Sequence, residues 1–159
     1  MCIFDQVLLI DDDAVSSFIT ERIILDEGFA NDVVHFMMAE DALDYLHKLQ
    51  LQDTASCAIF LDISMPFMSG WDFIEEFKKL PEALRLQCKI YMLSGAVDVT
   101  ELKCAQCHPL ISEFITKPLT REDLEVIKEN LKLQIANGAL APTEEQKLCK
   151  IPNCLRCLN

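Results

Sequence analysis

The sequence predicts an α/β domain built on a doubly wound parallel sheet, and two repeating patterns support this. Short apolar runs alternate with segments of helical periodicity five times along the 159 residues. Strands that alternate with helices favour right-handed crossovers and a parallel sheet covered on both faces. The apolar runs are mostly continuous rather than alternating, as strands buried on both faces require. We therefore expect five parallel strands flanked by helices.

Each apolar run is predicted to be a strand. Apolar residues at helical spacing follow the first, second, third and fifth of these strands. The strands are predicted at residues 6–10, 32–36, 58–61, 89–93 and 112–115. The helical positions are Val15, Phe18, Ile19 and Ile23; Ala39, Ala42, Leu43, Leu46 and Leu49; Phe73, Ile74 and Phe77; and Leu124, Ile127, Leu131 and Ile135. A further helix is predicted over residues 97–106.

Capping signals place the ends of several helices. Ser69 and Thr120 are each followed three residues later by an aspartate, a spacing typical of a capping box at a helix N-terminus. Gly28 is a plausible stop for the first helix, and Asn137-Gly138 for the last. These boundaries predict one domain over residues 1–137 and a separate tail over 138–159, which is too short for an independent output domain.

Composition narrows the class of protein. Lys plus Arg number 14 against 26 Asp plus Glu, a net charge of -12, which argues against binding to nucleic acid or to anionic membrane. No apolar run approaches the roughly 20 residues of a membrane helix, and the N-terminus lacks the basic region of a signal peptide. We expect a cytoplasmic protein whose eight cysteines are reduced. Cys57 and Cys88, in or beside apolar runs, are predicted to be small buried hydrophobes.

Charged and hydroxyl side chains follow the strands at the point where each strand ends. In an open parallel sheet, ligands bind beyond the carboxyl ends of the strands, so these side chains should converge on one edge. They are Asp11, Asp12 and Asp13 after the first strand, Asp62 after the third, Ser94 after the fourth and Lys117 after the fifth.

This combination suits phosphoryl transfer. Clustered carboxylates repel one another, and Mg²⁺ would relieve the repulsion while keeping coordination positions for a phosphoryl oxygen. One carboxylate could then attack phosphorus and form an aspartyl phosphate. The Lys117 ammonium and the Ser94 hydroxyl would neutralise charge on the phosphoryl oxygens.

Four runs of sequence resemble the receiver domains of response regulators in two-component phosphorelays. They are VLLIDDD (7–13), FLDISMPFMSGWDFI (60–74), YMLSG (91–95) and FITKPL (114–119), and the resemblance covers about residues 5–137. It implies a flavodoxin-like (βα)5 fold with strand order 2-1-3-4-5.

The resemblance also implies a role for individual residues. Asp62 matches the phosphoacceptor, and Asp11 and Asp12 match the acidic pair that holds Mg²⁺ together with Asp62 and the Ser64 main-chain carbonyl. Ser94 and Lys117 match the conserved hydroxyl and lysine, and the Lys117–Pro118 bond matches a cis peptide. Phe114 matches the aromatic residue that switches with Ser94. Asp13 is an extra acid, expected to be solvated or to cap the first helix.

As implied by the family, the phosphoryl group would come from a histidine kinase or phosphotransfer protein. The chain would act as a stand-alone switch without a DNA-binding output domain, as a monomer or weak homodimer that contacts an unidentified protein target. It would catalyse only its own phosphorylation and dephosphorylation. Ser64 and Ala96 offer no carboxylate or amide to orient a hydrolytic water, so we expect slow dephosphorylation.

Two alternatives remain open. The first is a zinc or redox module on a receiver scaffold, in which Cys104 and Cys107, or His108, join Cys154 and Cys157, with Cys149 nearby, to give a tetrahedral set. The C-x-x-C-H spacing also matches haem attachment, which a cytoplasmic location disfavours. The second alternative is an aspartyl-phosphate hydrolase of the haloacid-dehalogenase type, although Asp62-Ile-Ser64 lacks the second acid of the D-x-D motif that this class uses.

Overall fold

The computed structural model describes residues 2–49, 55–96 and 98–138, and these form a five-stranded parallel sheet with helices on both faces. The strands are β1 (Phe4–Ile10), β2 (Ala30–Phe36), β3 (Cys57–Asp62), β4 (Cys88–Ser94) and β5 (Ile111–Thr116). The helices are α1 (Ala14–Asp26), α2 (Ala39–Lys48), α3 (Gly70–Phe77), α4 (Glu82–Gln87), α5 (Val99–Cys107) and α6 (Arg121–Ala136). The strand order is β2-β1-β3-β4-β5, so the predicted doubly wound fold is confirmed.

The sheet divides the core into two apolar layers. On one face, Leu8, Ile59 and Met92 pack with the buried sides of α2, α3 and α5. On the other face, Leu9 and Phe60 belong to a cluster that includes residues of α1 and α6. Every residue of β3 is buried, which fits its central position and its uninterrupted apolar sequence.

The predicted caps are confirmed. Ser69 and Thr120 each form a capping box with the aspartate three residues later, at the start of α3 and α6. Asp13 caps α1, because its carboxylate accepts hydrogen bonds from the backbone N–H groups of Val15 and Ser16. Gly28 has a φ of +58°, a conformation that glycine adopts without the steric cost of a side chain.

The sequence was misleading about which face of α1 is buried. Val15 and Phe18, two of the apolar residues that indicate this helix, are each 71 % exposed. The buried positions are Ser17, Thr20 and Ile24. Ser17 is accommodated because its hydroxyl donates a hydrogen bond to the Asp13 carbonyl at 2.8 Å. Val15, Phe18 and Ile19 of the predicted stripe therefore face solvent, whereas Ile23 packs against the core.

The helix α4 was not predicted. It is only six residues long, begins after Pro81 and buries a single residue, Leu84. A helix of this length makes fewer than two turns, so its apolar spacing does not repeat often enough to be recognised. The helix predicted at residues 97–106 is present as Val99–Cys107, capped by Asp98.

The tail predicted over residues 138–159 lies outside the described residues except for Gly138. None of the helices within the described ranges has the length and hydropathy to cross a bilayer.

Candidate functional site

The polar side chains predicted to converge do lie at the carboxyl ends of four strands. Asp11 directly follows β1, Asp62 and Ser94 are the last residues of β3 and β4, and Lys117 directly follows β5. Because β1, β3, β4 and β5 are adjacent and parallel, these ends share one edge of the sheet.

Three carboxylates form the centre of the site. Asp11, Asp12 and Asp62 each place an oxygen so that all three oxygens lie within 4.8 Å of one another. Asp11 and Asp62 are only 1 % and 5 % exposed, whereas Asp12 is exposed. Asp13 is outside this trio, although its backbone N–H donates to the Asp11 carboxylate at 2.9 Å and fixes its orientation.

Lys117 links the two buried carboxylates. Its Nζ lies 2.6 Å from Asp11 Oδ2 and 3.0 Å from Asp62 Oδ2. The Lys117–Pro118 peptide bond is cis. The Lys117 backbone N–H also donates to the Ser94 carbonyl at 2.8 Å, which connects the ends of β4 and β5. The position of the ammonium group is therefore set by the backbone of two neighbouring strands.

Burial and neighbouring charge shift the pKa values of Asp62 and Lys117 in opposite directions. Burial raises the pKa of the Asp62 carboxyl, and this effect exceeds the lowering caused by the Lys117 ammonium. For Lys117, burial disfavours the charged form, but hydrogen bonds and charge from Asp11 and Asp62 are stronger and leave its pKa above the ordinary value. Lys117 therefore stays an ammonium at neutral pH.

The residues present fit a small divalent cation. Mg²⁺ prefers oxygen ligands about 2.1 Å away, so two ligands of one ion lie about 3.0–4.2 Å apart. The three oxygens of this trio, all within 4.8 Å of one another, are near enough to share one ion after small side-chain adjustments. Three carboxylates and one ammonium carry a formal charge of -2, which a divalent ion would balance. Asp11, Asp12 and Asp62 are the residues that could hold it, and Asp12, being exposed, leaves the site open to solvent.

Ser94, Ser64 and Phe114 are the remaining residues of the predicted site, and each has its own local contacts. The Ser94 hydroxyl donates to the Ala96 carbonyl at 2.6 Å, within its own loop. The Ser64 backbone N–H donates to Asp62 Oδ1 at 3.1 Å. Phe114 is partly buried against the core layer that contains α2, α3 and α5. Ser94 is thus held by its own loop in this conformation.

Sequence reasoning missed two residues beside the site. The Nε2 atom of His35 lies 2.9 Å from the Asp11 carbonyl oxygen. Its place near the end of β2, the strand beside β1, is the signal that could have identified it. A Cβ on Gly70 would meet the Asp62 carbonyl oxygen at 2.7 Å, so this glycine permits the close approach of α3 to β3.

The cysteine and histidine group of the zinc alternative is separate from this edge. Cys104 and His108 are buried, and the His108 ring lies 6.4 Å from the ring of Trp71. Within residues 2–49, 55–96 and 98–138, the acidic trio is the only group of three or more possible metal-ligating side chains. Cys149, Cys154 and Cys157 lie outside the described residues.

Comparison with known proteins places the chain in a family. Residues 7–128 match the sequence model of the response regulator receiver domain. The chain is also 30 % identical over 117 residues to a protein-glutamate methylesterase/protein-glutamine glutaminase of Treponema pallidum, and 30 % identical over 129 residues to the sensor histidine kinase CheAY of Helicobacter pylori. The alignments cover 73 % and 80 % of this chain, but only 27 % and 15 % of those proteins. The chain belongs to the response regulator receiver domain family.

Solved structures agree with this assignment. A response regulator receiver protein from Dyadobacter fermentans superposes with a TM-score of 0.71 at 29 % identity, covering 82 % of this chain and 97 % of that one. A two component response regulator from Cytophaga hutchinsonii gives a TM-score of 0.74 at 25 % identity, covering 82 % and 98 %. The predicted family and the flavodoxin-like fold with strand order 2-1-3-4-5 are therefore confirmed.

Proposed function

We propose that the protein is a phosphorylatable switch in which Asp62 accepts a phosphoryl group from a histidine on a kinase or phosphotransfer protein. The observation that carries this proposal is the pairing of Lys117 with both Asp11 and Asp62 beside a third carboxylate. Burying carboxylates costs free energy that apolar residues at the same positions would not cost, so this group of charges points to a function.

In the proposed reaction, an oxygen of the Asp62 carboxylate attacks phosphorus and the bond from phosphorus to the donor imidazole nitrogen breaks. The products are an aspartyl phosphate and a neutral histidine once the leaving nitrogen takes up a proton. Mg²⁺, held by Asp11, Asp12, Asp62 and the Ser64 carbonyl, would supply neutralisation of the phosphoryl oxygens.

The chain's own residues position the reacting atoms. The Ser64 N–H bond to Asp62 Oδ1 orients the carboxylate. The Lys117 ammonium, already 3.0 Å from Asp62 Oδ2, would move its contact to a phosphoryl oxygen with little rearrangement.

The switch would use Ser94 and Phe114. In the conformation described, the Ser94 hydroxyl donates to Ala96 within its loop. A phosphoryl oxygen on Asp62 is a stronger acceptor than this carbonyl, and the hydroxyl would turn to it and draw the loop inward. Phe114 would then rotate inward and change the surface formed by α5, β5 and α6.

The proposal also covers the partner of the switch, its location in the cell and the rate at which the aspartyl phosphate is hydrolysed. The net charge of -12 disfavours nucleic acid, so the output would be a protein contact made by a monomer or weak homodimer in the cytoplasm. The chain would catalyse no reaction beyond its own phosphorylation and dephosphorylation. The latter would be slow, because Ser64 and Ala96 cannot orient a water for attack.

Intact mass spectrometry tests the proposal. The protein is incubated with acetyl phosphate, with Mg²⁺ or with a chelator, beside an Asp62→Ala variant. We expect one phosphoryl adduct that requires Mg²⁺ and is absent from the variant. Absence of an adduct from wild-type protein that demonstrably binds Mg²⁺ would reject the proposal and favour signalling without phosphate, through the cysteine-containing module.

A further inference from the structure

Two cysteines lie side by side at the N-terminal ends of two neighbouring strands. Cys57 and Cys88 are the first residues of β3 and β4, and they are direct partners in the parallel register of these strands. Both side chains belong to the core layer formed with α2, α3 and α5, where Cys57 is 1 % exposed and Cys88 packs at the margin. Neither is in a disulfide in the structure described.

The geometry of the two strands allows a bond between these sulfurs. Neighbouring strands lie about 4.8 Å apart, and disulfides join residues whose Cα atoms are about 4.4–6.8 Å apart. Partners in register on neighbouring parallel strands point to the same face of the sheet, so the two thiols lie side by side. Because each cysteine begins its strand, small backbone adjustments there disturb few interstrand hydrogen bonds.

We propose that Cys57 and Cys88 are a redox modification site that forms an intramolecular disulfide when the protein meets a hydroperoxide. Two thiols lose two electrons and two protons, and the peroxide oxygen–oxygen bond is reduced to give one alcohol and one water, or two waters from hydrogen peroxide. One sulfur–sulfur bond forms, and a dithiol reductant reverses it.

The difference in exposure determines which of the two thiols reacts first with the peroxide. Cys88 is partly exposed, whereas Cys57 is buried. The contact with Cys88 and burial both raise the pKa of the Cys57 thiol, so Cys57 is the poorer first nucleophile. Cys88 therefore attacks the peroxide and becomes a sulfenic acid. The Cys57 sulfur then attacks the Cys88 sulfur, and the hydroxyl group leaves as water with the Cys57 proton.

The bond would join the strands at the edge opposite the acidic trio. Cys57 and Asp62 are the two ends of β3, about 16 Å apart at the rise of a strand. Phosphorylation of Asp62 should therefore continue in the oxidised protein. The disulfide closes a loop that contains α3 and α4, which restricts the unfolded chain and should raise the melting temperature.

Trypsin gives a direct test on the full chain. Cleavage after lysine and arginine yields residues 49–78 and 86–89, which contain Cys57 and Cys88 respectively as their only cysteines. The folded protein is treated with hydrogen peroxide at low concentration, remaining thiols are alkylated in denaturant, and the digest is analysed with and without reductant. We expect these two peptides joined in most molecules, at a yield independent of protein concentration, with a reversible rise in melting temperature.

Two variants test whether the disulfide requires Cys88 specifically. Cys88→Ala should leave Cys57 reduced and alkylatable after peroxide, while the matched Cys104→Ala, which removes another cysteine of the same core layer, should leave the linked peptides unchanged. Recovery of wild-type Cys57 as a free thiol beside sulfinic acid at Cys88 would overturn the proposal. A link that forms only between molecules would overturn it equally. Both results come from wild-type protein and do not depend on folding of the variants.

Discussion

The Lys117 Nζ atom lies 3.0 Å from Asp62 Oδ2, although the two residues are 55 positions apart in the chain. The same nitrogen lies 2.6 Å from Asp11 Oδ2. One ammonium therefore offsets two buried carboxylates contributed by different strands. The position of this ammonium depends on the fold of the whole sheet. Lys117 contacts Asp62 because β5, which precedes Lys117, lies two strands away from β3.

Replacing this ammonium should slow phosphorylation. In Lys117→Met the charge that would stabilise the phosphoryl oxygens is absent, and we expect a rate about 100-fold lower with acetyl phosphate and Mg²⁺. The control is Lys79→Met, which removes an exposed lysine paired with Glu76 on the surface. Equal rates for the two variants would show that Lys117 has no part in the reaction.

Magnesium should stabilise the folded protein through the acidic trio. At about 100 times the dissociation constant, an ion that binds only the folded state adds about 2.7 kcal/mol to the free energy of unfolding. We expect Asp12→Ala to abolish this gain in denaturant titrations, because one ligand of the site is removed. Asp26→Ala, which removes an acidic residue of α1 paired with Arg22, should keep it. Loss of the gain in both variants would indicate general screening of charge.

Gly70 should not tolerate a side chain. A Cβ there would lie 2.7 Å from the Asp62 carbonyl oxygen and 3.0 Å from the Ile63 Cα, both backbone atoms that cannot rotate away. We expect Gly70→Ala to lower the free energy of unfolding by about 1–3 kcal/mol and to slow phosphorylation by moving Asp62. Gly95→Ala is the control, because nothing lies within 4 Å of its Cβ position. Wild-type stability in Gly70→Ala would contradict the packing described.

Glu113 should make stability depend on pH. Burial raises the pKa of its carboxyl above 4.5, an effect that the Asn130 hydrogen bond partly offsets and the Asp123 charge increases. The folded state therefore binds this proton more tightly than the unfolded state. The contribution of Glu113 to stability rises as the pH falls through its folded pKa, and is lost as the pH rises through it.

We expect Glu113→Gln to be more stable than wild type at pH 7, with the difference vanishing below the unfolded pKa near 4.5. Thermal unfolding at a series of pH values measures this. Glu129→Gln, at an exposed position of α6, is the matched control for removing one carboxylate elsewhere on the chain. A Glu113→Gln protein that is less stable than wild type at pH 7 would mean that the carboxylate is favourably placed.

Most of the fold and the site followed from local patterns, because parallel strands impose long apolar runs and place their carboxyl ends together. The misjudged features depend on tertiary packing. The stripe of Val15 and Phe18 correctly indicates a helix, but only the assembled sheet determines that Ser17, Thr20 and Ile24 face inward. The register that places Cys57 beside Cys88 is likewise a property of the assembled sheet, invisible to spacing along the chain.

The most direct test of the account is to locate the phosphoryl group among the three clustered carboxylates. An acyl phosphate is reduced by borohydride to an alcohol, so a phosphorylated aspartate is converted to homoserine and identified by peptide sequencing in the mass spectrometer. We expect homoserine at position 62 alone, after incubation with acetyl phosphate and Mg²⁺. Homoserine at position 11 or 12, or at none of the three in protein that binds Mg²⁺, would contradict it.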